Sequence, residues 1–97
     1  MSIKEEYKNE LLSIILKHVP SCTVYLFGSR AINQEKIGSD IDLAIKSNDP
    51  LLDDKITKIL IDIDETTIPA KVDIVNIQTA NKNIKNEILK NGILWTS

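Results

Sequence analysis

The stretch LFGSRAINQEKIGSDIDLAI, residues 26–45, joins two predicted strands and decides the fold of this chain. The first strand is a run of β-forming residues, 23–27, that stops at Gly28. The second, 40–46, alternates between apolar and polar positions, so one of its faces is predicted to belong to the core. The sequence therefore predicts a sheet built around this stretch, with a loop between its two strands.

Two aspartates, Asp40 and Asp42, lie on the polar face of the second strand, with only Ile41 between them. Carboxylates two residues apart on a strand lie within roughly 7 Å, and they repel each other unless a cation lies between them. A third carboxylate, Asp73, interrupts an otherwise apolar strand predicted at 71–77. Each of these features alone is typical of a solvated strand edge or a hydrogen-bonded aspartate. Together they predict a Mg²⁺ site, because Mg²⁺ binds carboxylates together with substrate phosphates and water.

The spacing of these residues suits phosphoryl transfer. Two metal ions about 4 Å apart can activate an attacking hydroxyl and stabilise the leaving oxygen, and Asp73 is predicted to help accept the proton of that hydroxyl. Gly28 allows the backbone to approach a phosphate, and Ser29 offers it a hydroxyl and a backbone N–H. Arg30 is predicted to hold a phosphate or an acidic partner residue through two parallel hydrogen bonds, or alternatively to form a surface ion pair.

The rest of the pattern predicts three helices, in the order α, β, β, α, β, α. The first, over 2–18, carries a capping-box pattern, Ser2-x-x-Glu5; the second begins at Asp49-Pro50; the third ends at Asn91-Gly92, where glycine suits a left-handed residue. A short extended tail is predicted at 93–95. The expected fold class is α/β (α+β), with a small mixed sheet flanked by helices.

The composition restricts the class of protein. Ninety-seven residues, 42% of them hydrophobic, predict a single domain over residues 1–97. The polar start and the short uncharged runs predict neither a signal peptide nor a membrane span, so a cytoplasmic location is expected. Twelve basic and fourteen acidic residues give a net charge of -2, which lacks the basic surplus that binding to long nucleic acids requires.

Four segments together resemble the minimal nucleotidyltransferases (MNT) of the DNA polymerase beta superfamily. They are FGSRA at 27–31, SDIDL at 39–43, VDIV at 72–75 and EILKNG at 87–92. Their order and the ten residues between Ser29 and Asp40 agree with that family, and together the segments span most of the chain. One departure is Asn33, where many relatives have glycine; asparagine also tolerates a left-handed backbone.

The resemblance implies a polymerase beta-like core and assigns roles to individual residues. It implies that Gly28 and Ser29 bind the nucleotide triphosphate. It implies that Asp40 and Asp42 hold two Mg²⁺ ions and that Asp73 completes the first metal site. It also implies transfer of AMP from ATP to an acceptor hydroxyl, with release of pyrophosphate.

The acceptor site is expected to come from another polypeptide, such as a helical partner, or from a second copy of the chain in a homo-oligomer, because no acceptor-binding domain is predicted. The resemblance points to MNT antitoxins, which adenylylate a tyrosine of a HEPN-domain toxin and silence its ribonuclease activity. Two alternatives stay open. One is a nucleotidyltransferase subunit for a small-molecule acceptor, and the other is a non-catalytic antitoxin that binds its partner. Three retained aspartates argue against the second, because without metal they would repel one another for no benefit.

Overall fold

The computed structural model describes residues 3–32 and 40–96 of the chain. These residues form three helices and one four-stranded sheet. The elements in chain order are α1 (Glu5–His18), β1 (Cys22–Phe27), β2 (Ile41–Ser47), α2 (Asp53–Asp64), β3 (Val72–Asn76), α3 (Lys82–Asn91) and β4 (Ile93–Leu94). The predicted order of helices and strands is confirmed, and the predicted extended tail is a short strand.

The sheet is mixed, as predicted, with the strand order β3-β2-β1-β4. Strand β2 runs antiparallel to β1 and parallel to β3, while β4 runs antiparallel to β1. The central pair, β1 and β2, is joined by the loop that follows Gly28. The parallel neighbour β3 needs a crossover, which α2 provides.

Helices cover both faces of the sheet and create two apolar clusters. The larger lies under α1 and α2 and includes the predicted core face of β2. Its fully buried large side chains are Leu11, Ile15, Val24, Leu26, Ile41, Leu43, Ile45 and Ile59. The smaller cluster lies under α3 and is centred on Phe27, Ala44 and Ile88. Because side chains alternate along a strand, Asp42 shares the α3 side with Ala44.

Two predicted helix starts are wrong. The N-cap of α1 is Lys4, which makes no side-chain capping hydrogen bond. Glu5 is therefore the first helical residue, and not the glutamate that a capping box places three residues after the N-cap. Ser2 itself lies outside the described residues. Helix α2 begins at Asp53, after Leu52, and not at Asp49-Pro50. A local hydrogen bond accounts for the later start: the Ser47 hydroxyl accepts from the Asp49 N–H two residues on, a contact that favours a turn over a helix start at this point.

The end of α3 is placed correctly, but the backbone of Gly92 is not left-handed. Gly92 has φ -64° and ψ 142°, an extended conformation that leads directly into β4. Glycine is needed there for space, because a Cβ at this position would lie within 3.0 Å of the Ile88 carbonyl oxygen. The start of α3 carries a side-chain cap that was not predicted: Asn81 accepts a hydrogen bond from the Ile84 N–H at 2.9 Å.

In the described part of the chain, no helix has both the length and the apolar character that crossing a membrane requires. The predictions for Asn33 and for the loop that ends at Ser39 fall outside the described residues.

Candidate active site

The parallel pairing of β2 with β3 brings two of the predicted carboxylates together. Asp42 and Asp73 are direct partners in the register of these strands. Partners on adjacent strands lie about 4.8 Å apart and project their side chains from the same face. Asp40 immediately precedes β2 and is exposed, two residues before Asp42. Asp42 and Asp73 therefore lie side by side at one end of the α3 side of the sheet, with Asp40 next to them along the chain.

Gly28 meets the same carboxylate from the other side. The partner of Asp42 on β1 is Phe27, so the glycine lies immediately beyond that pair. Gly28 has φ 78°, and a Cβ built on it would lie within 3.0 Å of Asp42 Oδ2 and 3.3 Å from its Cγ. Any other side chain would therefore compete with the carboxylate for space and strain the backbone. Asp42 is the centre of the site, with Gly28 on one side and Asp73 on the other.

The electrostatic environment of Asp42 disfavours its charge. Partial burial raises the pKa of this carboxyl above its ordinary value, and the negative charges of Asp73, Asp40 and Glu87 raise it further. The positive charge of Lys71 opposes the shift and lowers this pKa. A half-buried carboxylate surrounded by three others is a place where a bound cation would be stabilised, since it relieves both desolvation and repulsion.

Two residues that received no role in the sequence analysis belong to this environment. Lys71 lies beside Asp73, with 3.9 Å between Nζ and Oδ1. Glu87 is on α3, one residue before Ile88, which packs against the sheet in the smaller cluster. The signal for Glu87 was the EILKNG segment, but only the packing of α3 over the sheet brings this side chain towards Asp42.

The donor chemistry of the site suits Mg²⁺, because all of its acidic groups offer carboxylate oxygens. Within residues 3–32 and 40–96, however, no three His, Cys, Asp or Glu side chains converge closely enough to hold a metal ion. The strand register fixes the backbone of Asp42 and Asp73, whereas each carboxylate can still rotate about χ1 and χ2. The residues present thus fit a Mg²⁺ site by their donor chemistry, and bringing three carboxylates to one ion requires these side chains to rotate.

The two other predicted nucleotide-binding residues lie in the turn after β1. The Ala31 N–H donates to the Gly28 carbonyl at 3.1 Å, which closes a four-residue turn with Ser29 inside it. Ser29 is therefore at a turn in the described residues, beside Gly28 and near Asp42. Arg30 lines a different cavity, between the start of α1 and Pro69. The structure thus brings Gly28 and Ser29 to the carboxylates and places the Arg30 side chain towards the α1 side.

Comparison with known proteins agrees with this arrangement. Residues 9–97 match the family described as polymerase beta, nucleotidyltransferase. The chain is 32% identical over 90 residues to a probable protein adenylyltransferase MntA of Haemophilus influenzae, covering 93% of this chain and 79% of that protein.

Solved structures share the fold. A chain of a toxin–antitoxin crystal structure with AMP-PNP superposes with a TM-score of 0.81 at 21% identity, covering 93% of this chain and 73% of that chain. A chain from a complex of a tri-AMPylated HEPN toxin of Shewanella oneidensis with its MNT antitoxin gives a TM-score of 0.71 at 20% identity, covering 98% of this chain and 73% of that chain. The protein described here thus belongs to the polymerase beta nucleotidyltransferase family and has its fold.

Proposed function

We propose that this protein is an antitoxin that transfers AMP from ATP to a hydroxyl of a HEPN-domain toxin, with a tyrosine as the acceptor. The observation that carries the proposal is the position of Asp42, between the close approach of Gly28 and the register partner Asp73. A nucleotidyltransferase needs a phosphate cradle and metal-binding carboxylates at one point. The similarity to MntA of Haemophilus influenzae supports the protein acceptor.

In this proposal the chain's own residues divide the work. Gly28 and Ser29 bind the triphosphate through the backbone and the serine hydroxyl, and the absence of a Cβ on Gly28 lets the Asp42 carboxylate lie directly against this turn. The Arg30 side chain lies towards α1, and it would have to rotate to hold a phosphate or an acidic group of the partner. Asp73 accepts the proton of the tyrosine hydroxyl as its oxygen attacks the α-phosphorus of ATP. The new bond joins the tyrosine oxygen to AMP, and pyrophosphate leaves.

Asp40, Asp42 and Asp73 are proposed to hold Mg²⁺, with two ions in the complete complex. Bound Mg²⁺ supplies positive charge that stabilises the triphosphate and the leaving pyrophosphate. The raised pKa of Asp42 supports this assignment, because repulsion among the carboxylates is what a cation would remove. ATP with Mg²⁺ should therefore raise the melting temperature, by ligand linkage, more than ATP with EDTA does. An equal shift in both buffers would contradict the metal role of these aspartates.

The transfer itself is tested with ATP labelled on the α-phosphate and, in a parallel reaction, on the γ-phosphate. The acceptor is the HEPN-domain protein encoded beside the gene for this chain. We expect only the α-label to reach that protein, on tyrosine, and we expect Asp42→Asn and Asp73→Asn to lose the transfer. Asp53→Asn is the matched control, because Asp53 is an exposed aspartate in the first turn of α2.

The outcomes separate the remaining functions. Label on the partner that is lost in the Asp42→Asn variant supports protein adenylylation. Binding of the partner without label, equal in wild type and variant, would refute the enzyme and leave a non-catalytic antitoxin. Label that forms only on a small molecule would refute the protein acceptor and leave the small-molecule transferase.

A further inference from the structure

A second concave surface lies on the α3 side of the sheet, away from the carboxylates. It is a cavity of about 250 Å³ between α3 and the strands. We call it the α3 groove, and its lining residues are Tyr25, Lys46, Ile77, Lys85, Ile88, Leu89 and Gly92. The proposed reaction uses none of them. The groove therefore requires an explanation of its own.

The rim of the α3 groove exposes large apolar side chains. Leu89 is 85% exposed, the highest value among the large hydrophobic residues of the described chain. Leu94 is 53% exposed and is the register partner of Tyr25, so both project from the α3 side of the sheet. Single exposed leucines are common, but one in the lining of an apolar groove and another beside its Tyr25 form an apolar surface of the kind that protein partners cover.

The charge of the α3 groove is opposite to that of the chain as a whole. Its lining includes two lysines, Lys46 and Lys85, and no carboxylate, although the chain has a net charge of -2. Lysines on either side of an apolar floor complement a segment with an apolar stripe and acidic flanks. An amphipathic helix has that distribution, and helix-in-groove binding is a common mode of recognition.

The position of the groove relates it to the candidate active site. Lys46 and Asp42 lie on the same face of β2, because they are four residues apart on one strand. Their Cα atoms are therefore about 13 Å apart. A partner bound in the α3 groove would extend along the same side of the sheet towards the carboxylates, where an acceptor hydroxyl has to arrive.

We propose that the α3 groove binds an acidic amphipathic helix of the protein that carries the acceptor hydroxyl. The inference rests on the proposed function, since it gives that partner its docking surface. Leu89 and Leu94 contact the apolar stripe of the helix, and Lys46 and Lys85 pair with its acidic flanks. Docking at a surface separate from the carboxylates lets the chain select its acceptor by affinity and hold the hydroxyl near Asp73.

The test measures the affinity for the neighbouring HEPN-domain protein by calorimetry, without ATP, so that no transfer takes place. We expect Leu89→Gln and Lys85→Glu each to weaken binding about tenfold or more, as loss of a central contact does at a protein interface. Leu52→Gln is the matched control and should bind as wild type, since Leu52 is 65% exposed at the N-cap of α2 and does not line the α3 groove. Added salt should weaken binding of the wild type more than it weakens binding of the Lys85→Glu variant, because salt screens the attraction that the variant has lost.

The controls keep folding and catalysis separate from docking. Leu89 is highly exposed, so its variant should keep the wild-type melting temperature and the thermal shift with ATP and Mg²⁺. Wild-type affinity in both the Leu89 and the Lys85 variants would overturn the docking surface and leave the proposed transfer intact. A wild-type chain that neither binds nor labels the HEPN protein would instead refute the proposed function and, with it, this partner.

Discussion

Replacing Gly28 with alanine tests the geometry on which the candidate site depends. Two separate effects follow from the structure. The backbone has φ 78°, where a residue with a Cβ is less stable by about 1–2 kcal/mol. The new Cβ also falls within 3.0 Å of Asp42 Oδ2. That oxygen is at the end of a short side chain, so the carboxylate can rotate away, and the contact should displace Asp42 more than it destabilises the fold.

The expected results follow from these two effects. A loss of about 1–2 kcal/mol in a domain of this size lowers the melting temperature by about 4–16 °C. AMP transfer should fall far more than the folded fraction does, because the displaced carboxylate is the centre of the site. Thermal unfolding in metal-free buffer measures the first effect, and the α-label assay at a temperature where the variant is fully folded measures the second.

Two control variants separate the backbone effect of Gly28→Ala from its steric effect on Asp42. Gly92→Ala also adds a Cβ within 3.0 Å of an oxygen, in this case the carbonyl oxygen of Ile88. The φ of Gly92 is -64°, so this variant lacks the penalty for a left-handed backbone. It should destabilise the fold but keep the thermal shift with ATP and Mg²⁺, because the α3 groove that Gly92 lines is separate from the carboxylates. In an Asp42→Ala background, Gly28→Ala should still show the backbone penalty but not the steric one. A Gly28→Ala variant with wild-type melting temperature and wild-type transfer would refute the reasoning.

The remaining predictions concern two carboxylates whose pKa values are shifted in opposite directions. Asp42→Asn should raise the melting temperature at pH 7 in metal-free buffer, because burial and three neighbouring carboxylates penalise the charge of Asp42. The gain should shrink as the pH falls through its raised pKa, where wild-type Asp42 becomes neutral; a gain that persists in acid would contradict this cause. Asp62→Asn should instead lower the melting temperature at pH 7. Asp62 accepts a hydrogen bond from His18 Nε2 at 2.6 Å, which lowers the pKa of this carboxyl, so the pair stabilises the fold above the ordinary aspartate pKa and the contribution is lost in acid. Melting temperatures of this variant and of the wild type from pH 7 to pH 3 measure the effect. The same difference between them at pH 7 and at pH 3 would exclude a contribution from the ionised Asp62.

The His18–Asp62 pair illustrates what the sequence could not provide. The two residues are 44 positions apart, at the ends of α1 and α2, and Lys17 lies 3.4 Å from the same carboxylate oxygen. In the sequence, Asp62 is followed closely by Asp64 and Glu65, and no local feature distinguishes it from them. Only the packing of α1 beside α2 places a cationic partner next to it.

The sequence alone determined the elements and the chemistry of the candidate site. Alternation along residues 40–46 identified the core face of β2, and the placement of Asp40, Asp42 and Asp73 in predicted strands identified the carboxylates. These features are local, because the two-residue period of a strand and the stop at Gly28 depend on neighbouring residues only. Helix starts were less accurate, since the hydrogen bond from the Asp49 N–H to the Ser47 hydroxyl favours a turn where the second helix was predicted to begin.

The tertiary structure decided which of these residues meet. The parallel register of β2 and β3 makes Asp42 the partner of Asp73, and a shift by one residue would turn Asp73 to the opposite face. The packing of α3 brought Glu87 towards that pair and left Leu89 exposed beside the α3 groove. Register and helix packing depend on contacts between distant segments, and for this reason a local pattern predicted the carboxylates but not their neighbours.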